Sequence, residues 1–335
     1  MAGRYILRCA LGLAALCSMA TGAVARPASF PLPERELMVP VTGGRVYVRV
    51  NGPLNGARPP LVLIHGGPGG THGSFLDALE LAKERAVILY DQLDSGRSDH
   101  PDISANWTVP RFVDELKAIR TALGVKRWHV LGASWGGTIA LEYGARRPQA
   151  LAGLALAGPL ISTRSWLADA NELRRKLAPD LQSQLTRCEA RDPPPRKLCD
   201  AATDAFYAIY LRREPVSDAH KTYRHPADRG FNERLYNRMW GASEFVSTGT
   251  LKSYDGESLL VRLDGKRTLF IVGQHDEARP VTAIDFAERV PGAELAVVPG
   301  AGHATIMDRP DEWIAIVRAW LARQDSLVAG SAGNK

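Results

Sequence analysis

Cysteine is scarce in this chain. There are four in 335 residues, and nowhere does a CxxC or HxxxH spacing occur. A metal site is therefore not expected. Heptads, internal repeats and low-complexity tracts are missing too, which sets aside coiled coils and solenoids. Charge of one sign is in small excess, with a formal net charge of +6, and the basic residues are interspersed with acids. Without a basic stripe, nucleic acid is not an expected partner. What remains is ordinary for a globular enzyme: 45% hydrophobic and 23% charged residues, in a chain long enough to bury a substantial core.

The N-terminus carries an apolar run, Cys9 to Ala20, that is short for a membrane span. Arg4 and Arg8 precede it, and Ala23-Val24-Ala25 follows with the small-x-small pattern cut by signal peptidases. Residues 1–25 are thus expected to be a signal peptide, leaving an exported chain, periplasmic or secreted, with no stable membrane association. Ala14, three positions before Cys17, is not the Leu of a lipoprotein signal. Removing Arg4 and Arg8, with no acid among residues 1–25, leaves a net charge of +4. The mature chain keeps two cysteines, Cys188 and Cys199, flanking a Pro-rich loop. In an oxidising compartment they are expected to form a disulfide.

Two strand-like runs, 36–41 and 45–50, are joined by Thr42-Gly43-Gly44 and read as a hairpin. Short apolar runs then recur at 60–65, 86–91, 128–133, 151–157, 268–272 and 295–298. Such runs suit strands buried on both faces of a parallel sheet. Amphipathic stretches separate them. In one, Thr108 and Pro110 start a helix whose Phe112, Leu116, Ile119 and Leu123 share a face. The fold class implied is α/β, a mainly parallel sheet with helices on both faces. From Ser162 the alternation stops, and helical periodicity over 165–177, 201–213 and 232–239 predicts an inserted cap. The expected organisation is a core at 26–161, a helical cap at 162–245, the rest of the core at 246–323 and a flexible tail at 324–335. A cap in that position would roof the strand ends where open sheets bind ligands.

Three turns carry the chemistry. Gly132-Ala133-Ser134-Trp135-Gly136 is a GxSxG directly after one strand and directly before a helix. A sharp strand-to-helix turn needs small neighbours and exposes the serine oxygen near the helix N-terminus. Ser134 is the expected nucleophile. The N–H of Trp135 is an expected oxyanion donor, joined by Gly66 and Gly67 of the turn His65-Gly66-Gly67-Pro68-Gly69. His65 is expected to be structural, because a better base lies downstream. Asp276 and His303 each follow a strand in the late sequence, giving the chain order Ser–Asp–His of α/β hydrolases. His303 is the expected base and Asp276 its orienting acid, preferred over the adjacent His275 and Glu277.

At this point a family is recognisable. His65-Gly-Gly-Pro-Gly69, Asp91-Gln92 with Ser95-Gly-Arg-Ser98, and Gly132-Ala-Ser-Trp-Gly-Gly137 together resemble the proline iminopeptidases, or prolyl aminopeptidases. Met239-Trp-Gly-Ala-Ser-Glu-Phe245 and Thr248-Gly-Thr-Leu251 are similar to that family's return from cap to core. The resemblance implies an α/β-hydrolase-fold exopeptidase that needs no cofactor and releases an N-terminal residue, usually proline, from short peptides. It also implies that cap carboxylates hold the substrate's free amine, at Glu244 and, by a weaker match, at Glu214. One departure is Asp94, where the family usually has glycine; it is expected to alter substrate fit. Two other readings share the triad: an esterase, amidase or lactonase acting on a small acyl substrate, and a ligand-binding protein on a hydrolase scaffold.

Overall fold

The computed structural model describes residues 29–332; the expected signal peptide and the last three residues lie outside the described part. The hairpin pairs β1 (Arg35–Val41) with β2 (Gly44–Asn51) antiparallel, turning at Thr42 and Gly43. Then follow β3 (Leu61–Ile64), β4 (Val87–Tyr90), α1 (Val109–Ala122), β5 (Trp128–Ala133), α2 (Trp135–Ala145) and β6 (Leu151–Ala157). Five helices come next: α3 (Thr163–Arg174), α4 (Pro179–Cys188), α5 (Arg196–Tyr210), α6 (Asp218–Thr222) and α7 (Glu233–Met239). The chain closes with β7 (Thr268–Gly273), α8 (Pro280–Glu288), β8 (Glu294–Val298), α9 (Thr305–Asp308) and α10 (Pro310–Ala332). The eight strands form one sheet in the order β1-β2-β4-β3-β5-β6-β7-β8, parallel from β4 to β8.

Strand periodicity decides which side chains feed which core. Val62 and Ile64 of β3 enter one apolar cluster, beneath α1 and α2. Leu61 and Leu63 point the other way, into a second cluster with Trp313, Val317 and Trp320 of α10. Both faces are therefore dry, which is why the runs that form β3 and β4 contain no charged residue. The helix at 109–122 buries Phe112, Leu116 and Ile119 as its spacing predicts.

Two results depart from expectation. Residues 324–332 were expected as a flexible tail but are the last turns of α10. Polar side chains anchor them: Gln324 is buried, and Asp325 pairs with the buried Arg85 at 2.6 Å. The helices α4 and α6 went unread, since α4 buries only Leu185 and α6 has five residues, too few for periodicity to register. Part of the insertion has its own small core, in which Ala170, Leu173, Leu177 and Leu185 meet Ala202, Phe206 and Phe245. A disulfide between Cys188 and Cys199 ties α4 to α5, with Cα atoms 5.5 Å apart. Among the described residues no helix is long and apolar enough to cross a membrane.

Candidate active site

The strand β3 pairs with β4 on one side and β5 on the other, so successive connections run to opposite sides of it. Ligands of open α/β sheets bind above such a switch point. Ser134 stands at the end of β5 with φ +54° and ψ −121°, a strained conformation for a residue with a side chain. Four backbone bonds hold it. Its N–H donates to Ala157 O at 2.9 Å, and its carbonyl accepts from Gly137 at 2.9 Å, Leu160 at 3.1 Å and Thr138 at 3.3 Å. The small neighbours are obligatory. A β-carbon on Gly132 would lie 2.0 Å from Gly136 O, and one on Gly136 would lie 2.2 Å from Ile64 O.

The loop after β3 runs beside the serine. A β-carbon on Gly66 would come within 2.9 Å of Ser134 Cβ, and Gly67 has φ +52°. Gly66, Gly67 and Trp135 line one cavity with Ser134. Trp135 opens α2, where backbone N–H groups have no intrahelical acceptor. A developing negative charge there would meet free donors and the positive end of the helix. His65 is buried beneath this loop; its Nε2 accepts from the Gln92 N–H at 3.1 Å, and burial pulls its pKa down to about 4. It has the structural place expected of it.

His303 Nδ1 donates to Asp276 Oδ1 at 2.7 Å. Asp276 is buried and also accepts from the N–H groups of Gly273 at 3.1 Å and Ala278 at 2.8 Å. Those bonds fix the carboxylate, which fixes the ring and its tautomer. Trp166 packs edge-on against the ring with centroids 5.4 Å apart. Burial lowers the His303 pKa, but the charge and hydrogen bond of Asp276, then Glu277 and Glu244, outweigh it and raise the value above the ordinary histidine range.

The cavity is about 460 Å³, walled by aromatic side chains including Trp166, Tyr207, Phe231, Tyr236 and Trp240. Two buried carboxylates reach it, Glu244 and Glu277. Glu244 Oε1 accepts from Tyr207 OH at 2.8 Å and from Tyr236 OH. Glu277 Oε1 lies 3.9 Å from His303 Nε2, while its Oε2 is buried with no hydrogen-bond partner. Burial pushes the Glu277 carboxyl up, partly offset by His303. Sequence reasoning weighed Glu277 only as a rival to Asp276; its nearness to that acid was the signal for a second role.

Glu214 does not belong here. It lines no part of the cavity, and Arg309, 95 residues away, takes its carboxylate at 2.5 Å. Asp94 is likewise outside the lining. It keeps the left-handed backbone of a glycine, at φ +63°, and its carboxylate accepts from Asp102 N–H at 2.7 Å and Trp107 Nε1 at 2.8 Å. Those two bonds offset the strain that glycine would avoid. Asp308 went unnoticed in the sequence. Fully buried, it accepts from the N–H groups of Gly302 at 2.8 Å and of Arg213 and Glu214 at 3.0 Å, tying the His303 loop to the end of α5. No group of three His, Cys, Asp or Glu side chains able to hold a metal occurs among the described residues.

Comparison with known proteins bears on the fold and the family. Residues 59–310 match the family described as alpha/beta hydrolase fold. The chain is 34% identical over 291 residues to a proline iminopeptidase of Heyndrickxia coagulans, covering 85% of this chain and 98% of the relative. Against the proline iminopeptidase of Lactiplantibacillus plantarum identity is 33%, covering 86% and 100%. The crystal structure of the Mycobacterium smegmatis proline iminopeptidase superposes with a TM-score of 0.78 at 33% identity, covering 88% of this chain and all of that one.

Proposed function

Since the chain belongs to the proline iminopeptidase family of α/β hydrolases, and is a hydrolase, we propose that it is a serine aminopeptidase releasing an N-terminal residue, first of all proline, from short peptides. The observation that carries the reading is the pairing of two buried carboxylates, Glu244 and Glu277, with Ser134 and His303 in one aromatic cavity.

Ser134 Oγ attacks the carbonyl of the first residue as its proton passes to His303 Nε2. The oxyanion is held by backbone N–H groups of the Gly66–Gly67 turn and Trp135. Collapse breaks the C–N bond, and the departing amine takes the proton from His303. Water, deprotonated by His303, then cleaves the acyl-enzyme. An N-terminal proline carries a secondary ammonium with two N–H groups, which matches two carboxylate acceptors. Glu277 Oε2, buried and unpartnered, is an acceptor awaiting such a donor. An N-blocked peptide brings no cation and would leave both groups without a counter-charge. The substrate ammonium also competes with His303 for the carboxylates, so binding lowers the imidazole's hold on its proton as catalysis requires. The signal-peptide pattern expected at 1–25 and the Cys188–Cys199 disulfide support the further proposal of a periplasmic or secreted enzyme.

A panel of aminoacyl arylamides tests the reading. Pro-arylamide is expected to be cleaved fastest, and its N-acetyl derivative not at all. Hydrolysis of a chromogenic ester without any arylamide turnover would return the enzyme to the esterase class.

A further inference from the structure

The cavity at Ser134 has a neighbour. A second cavity, of about 390 Å³, lies next to it, for Gly70, Thr71, Ser74 and Phe231 line both. Its outer lining is polar and comes from the segment between α6 and α7: Tyr223, Arg224, His225 and Asp228. Phe231, half exposed, stands at the junction with its ring 5.4 Å from that of Tyr236.

The two compartments differ in charge. Around Ser134 the ionisable groups are Glu244, Glu277, His303 and two tyrosines, with no lysine or arginine. In the second compartment Arg224 is exposed and forms no ion pair among the described residues. Its Nη1 donates to the carbonyl of its own neighbour, Tyr223, at 3.0 Å. Asp228, the carboxylate of that lining, accepts from the Gly230 N–H at 2.8 Å, and His225 Nδ1 accepts from the Ala227 N–H at 3.1 Å. The planar fork of Arg224 therefore has donors to spare, in a geometry suited to a carboxylate.

A short peptide is dipolar, with an ammonium at one end and a carboxylate at the other. Once the ammonium lies at Glu244 and Glu277 and the scissile carbonyl at Ser134, the rest of the chain needs a way out. The compartment beside Gly70, Thr71, Ser74 and Phe231 offers a guanidinium, that of Arg224, while its one carboxylate, Asp228, is engaged by the Gly230 N–H. We propose that it is the leaving-group subsite, and that Arg224 receives the C-terminal carboxylate of a peptide a few residues long. This rests on the aminopeptidase reading above. It adds a selection by length, since a longer peptide carries its carboxylate past Arg224 and an arylamide or peptide amide has none.

The test compares Pro-Ala and Pro-Ala-Ala with the same peptides amidated at the C-terminus, in wild type, Arg224→Gln and Arg224→Lys. The quantity read is the acid-to-amide ratio of kcat/KM, which is independent of the fraction of enzyme correctly folded. Wild type is expected to favour the acid about two- to fivefold on at least one peptide, the upper range for an exposed charge pair. Arg224→Gln should bring that ratio to about one, with Arg224→Lys between, because a point charge replaces the fork. A wild-type ratio near one, or a ratio that Arg224→Gln leaves unmoved, overturns the proposal while Pro-arylamide turnover keeps the aminopeptidase reading intact. Absence of Pro-arylamide turnover in wild type sinks both.

Discussion

The sheet and the helical insertion divide the work unequally. The sheet contributes Ser134, Asp276, His303 and the glycine loop, each in a turn that follows a strand; core backbone bonds hold Ser134 and Asp276, whereas His303 is also bonded to α5 of the insertion. The insertion contributes Glu244, its tyrosine partners and Arg224, from short helices and irregular segments around a small core stapled by one disulfide. Bond cleavage tolerates little displacement, so its groups sit on the stiff part. In the proposed aminopeptidase, choice of substrate falls to the insertion. Glu277 crosses that division, since it belongs to the sheet's own loop yet faces the cap carboxylate.

The sharpest way to break the comparison is Ser134→Ala. It is expected to lower turnover of arylamides and esters alike by several orders of magnitude with the fold intact, checked by steady-state rates and loss of fluorophosphonate labelling. A variant keeping about a tenth of the wild-type rate would remove Ser134 from the reaction. Glu244→Gln probes the other half. Breaking a buried charge pair costs about 2 kcal/mol or more, so kcat/KM on Pro-arylamide should fall roughly 30-fold or further. Acetyl ester hydrolysis should change far less, and equal losses on both substrates would make Glu244 a support of the cap only. Glu277→Gln sharpens the boundary between the halves through pH. His303 serves as base only when deprotonated, and neighbouring negative charge raises its pKa. The ascending limb for an acetyl ester, which has no amine, should lie above the usual histidine range. Removing the Glu277 charge should move that limb to lower pH by about half a unit or more. A limb that stays put would show that Glu277 does not act on the imidazole.

The same division decided what the sequence disclosed. Each triad residue follows an apolar run and has a glycine close before it, so strand periodicity and local turn chemistry made the three stand out, although the run before His303 forms the edge strand β8 with Leu295 and Val297 exposed. Glu214 looked plausible beside Pro215, yet Arg309 binds it across 95 residues, a pairing that no local pattern encodes. Tyr207 and Tyr236 meet at Glu244 from two different helices, 37 and 8 residues distant. Asp308 is as silent: a buried carboxylate whose partners are backbone N–H groups leaves no side-chain signature. Asp94 was noticed as a departure from glycine, but its partners Asp102 and Trp107 show that it braces its own loop.

The bonds between α5 and the catalytic histidine's loop have a consequence for motion. The N–H groups of His303 and Ala304 donate to Tyr210 O at 2.8 Å and Leu211 O at 2.7 Å, and a β-carbon on Gly302 would meet both carbonyls at 2.9 Å. This edge of the insertion is thus bonded to the loop of the base itself, a seam that cannot part without breaking both bonds. A displacement of the insertion along this seam would therefore disturb the base as well. The amides of His303 and Ala304 should exchange with deuterium only when the seam parts, and so act as a clock for openings in which the enzyme is briefly idle.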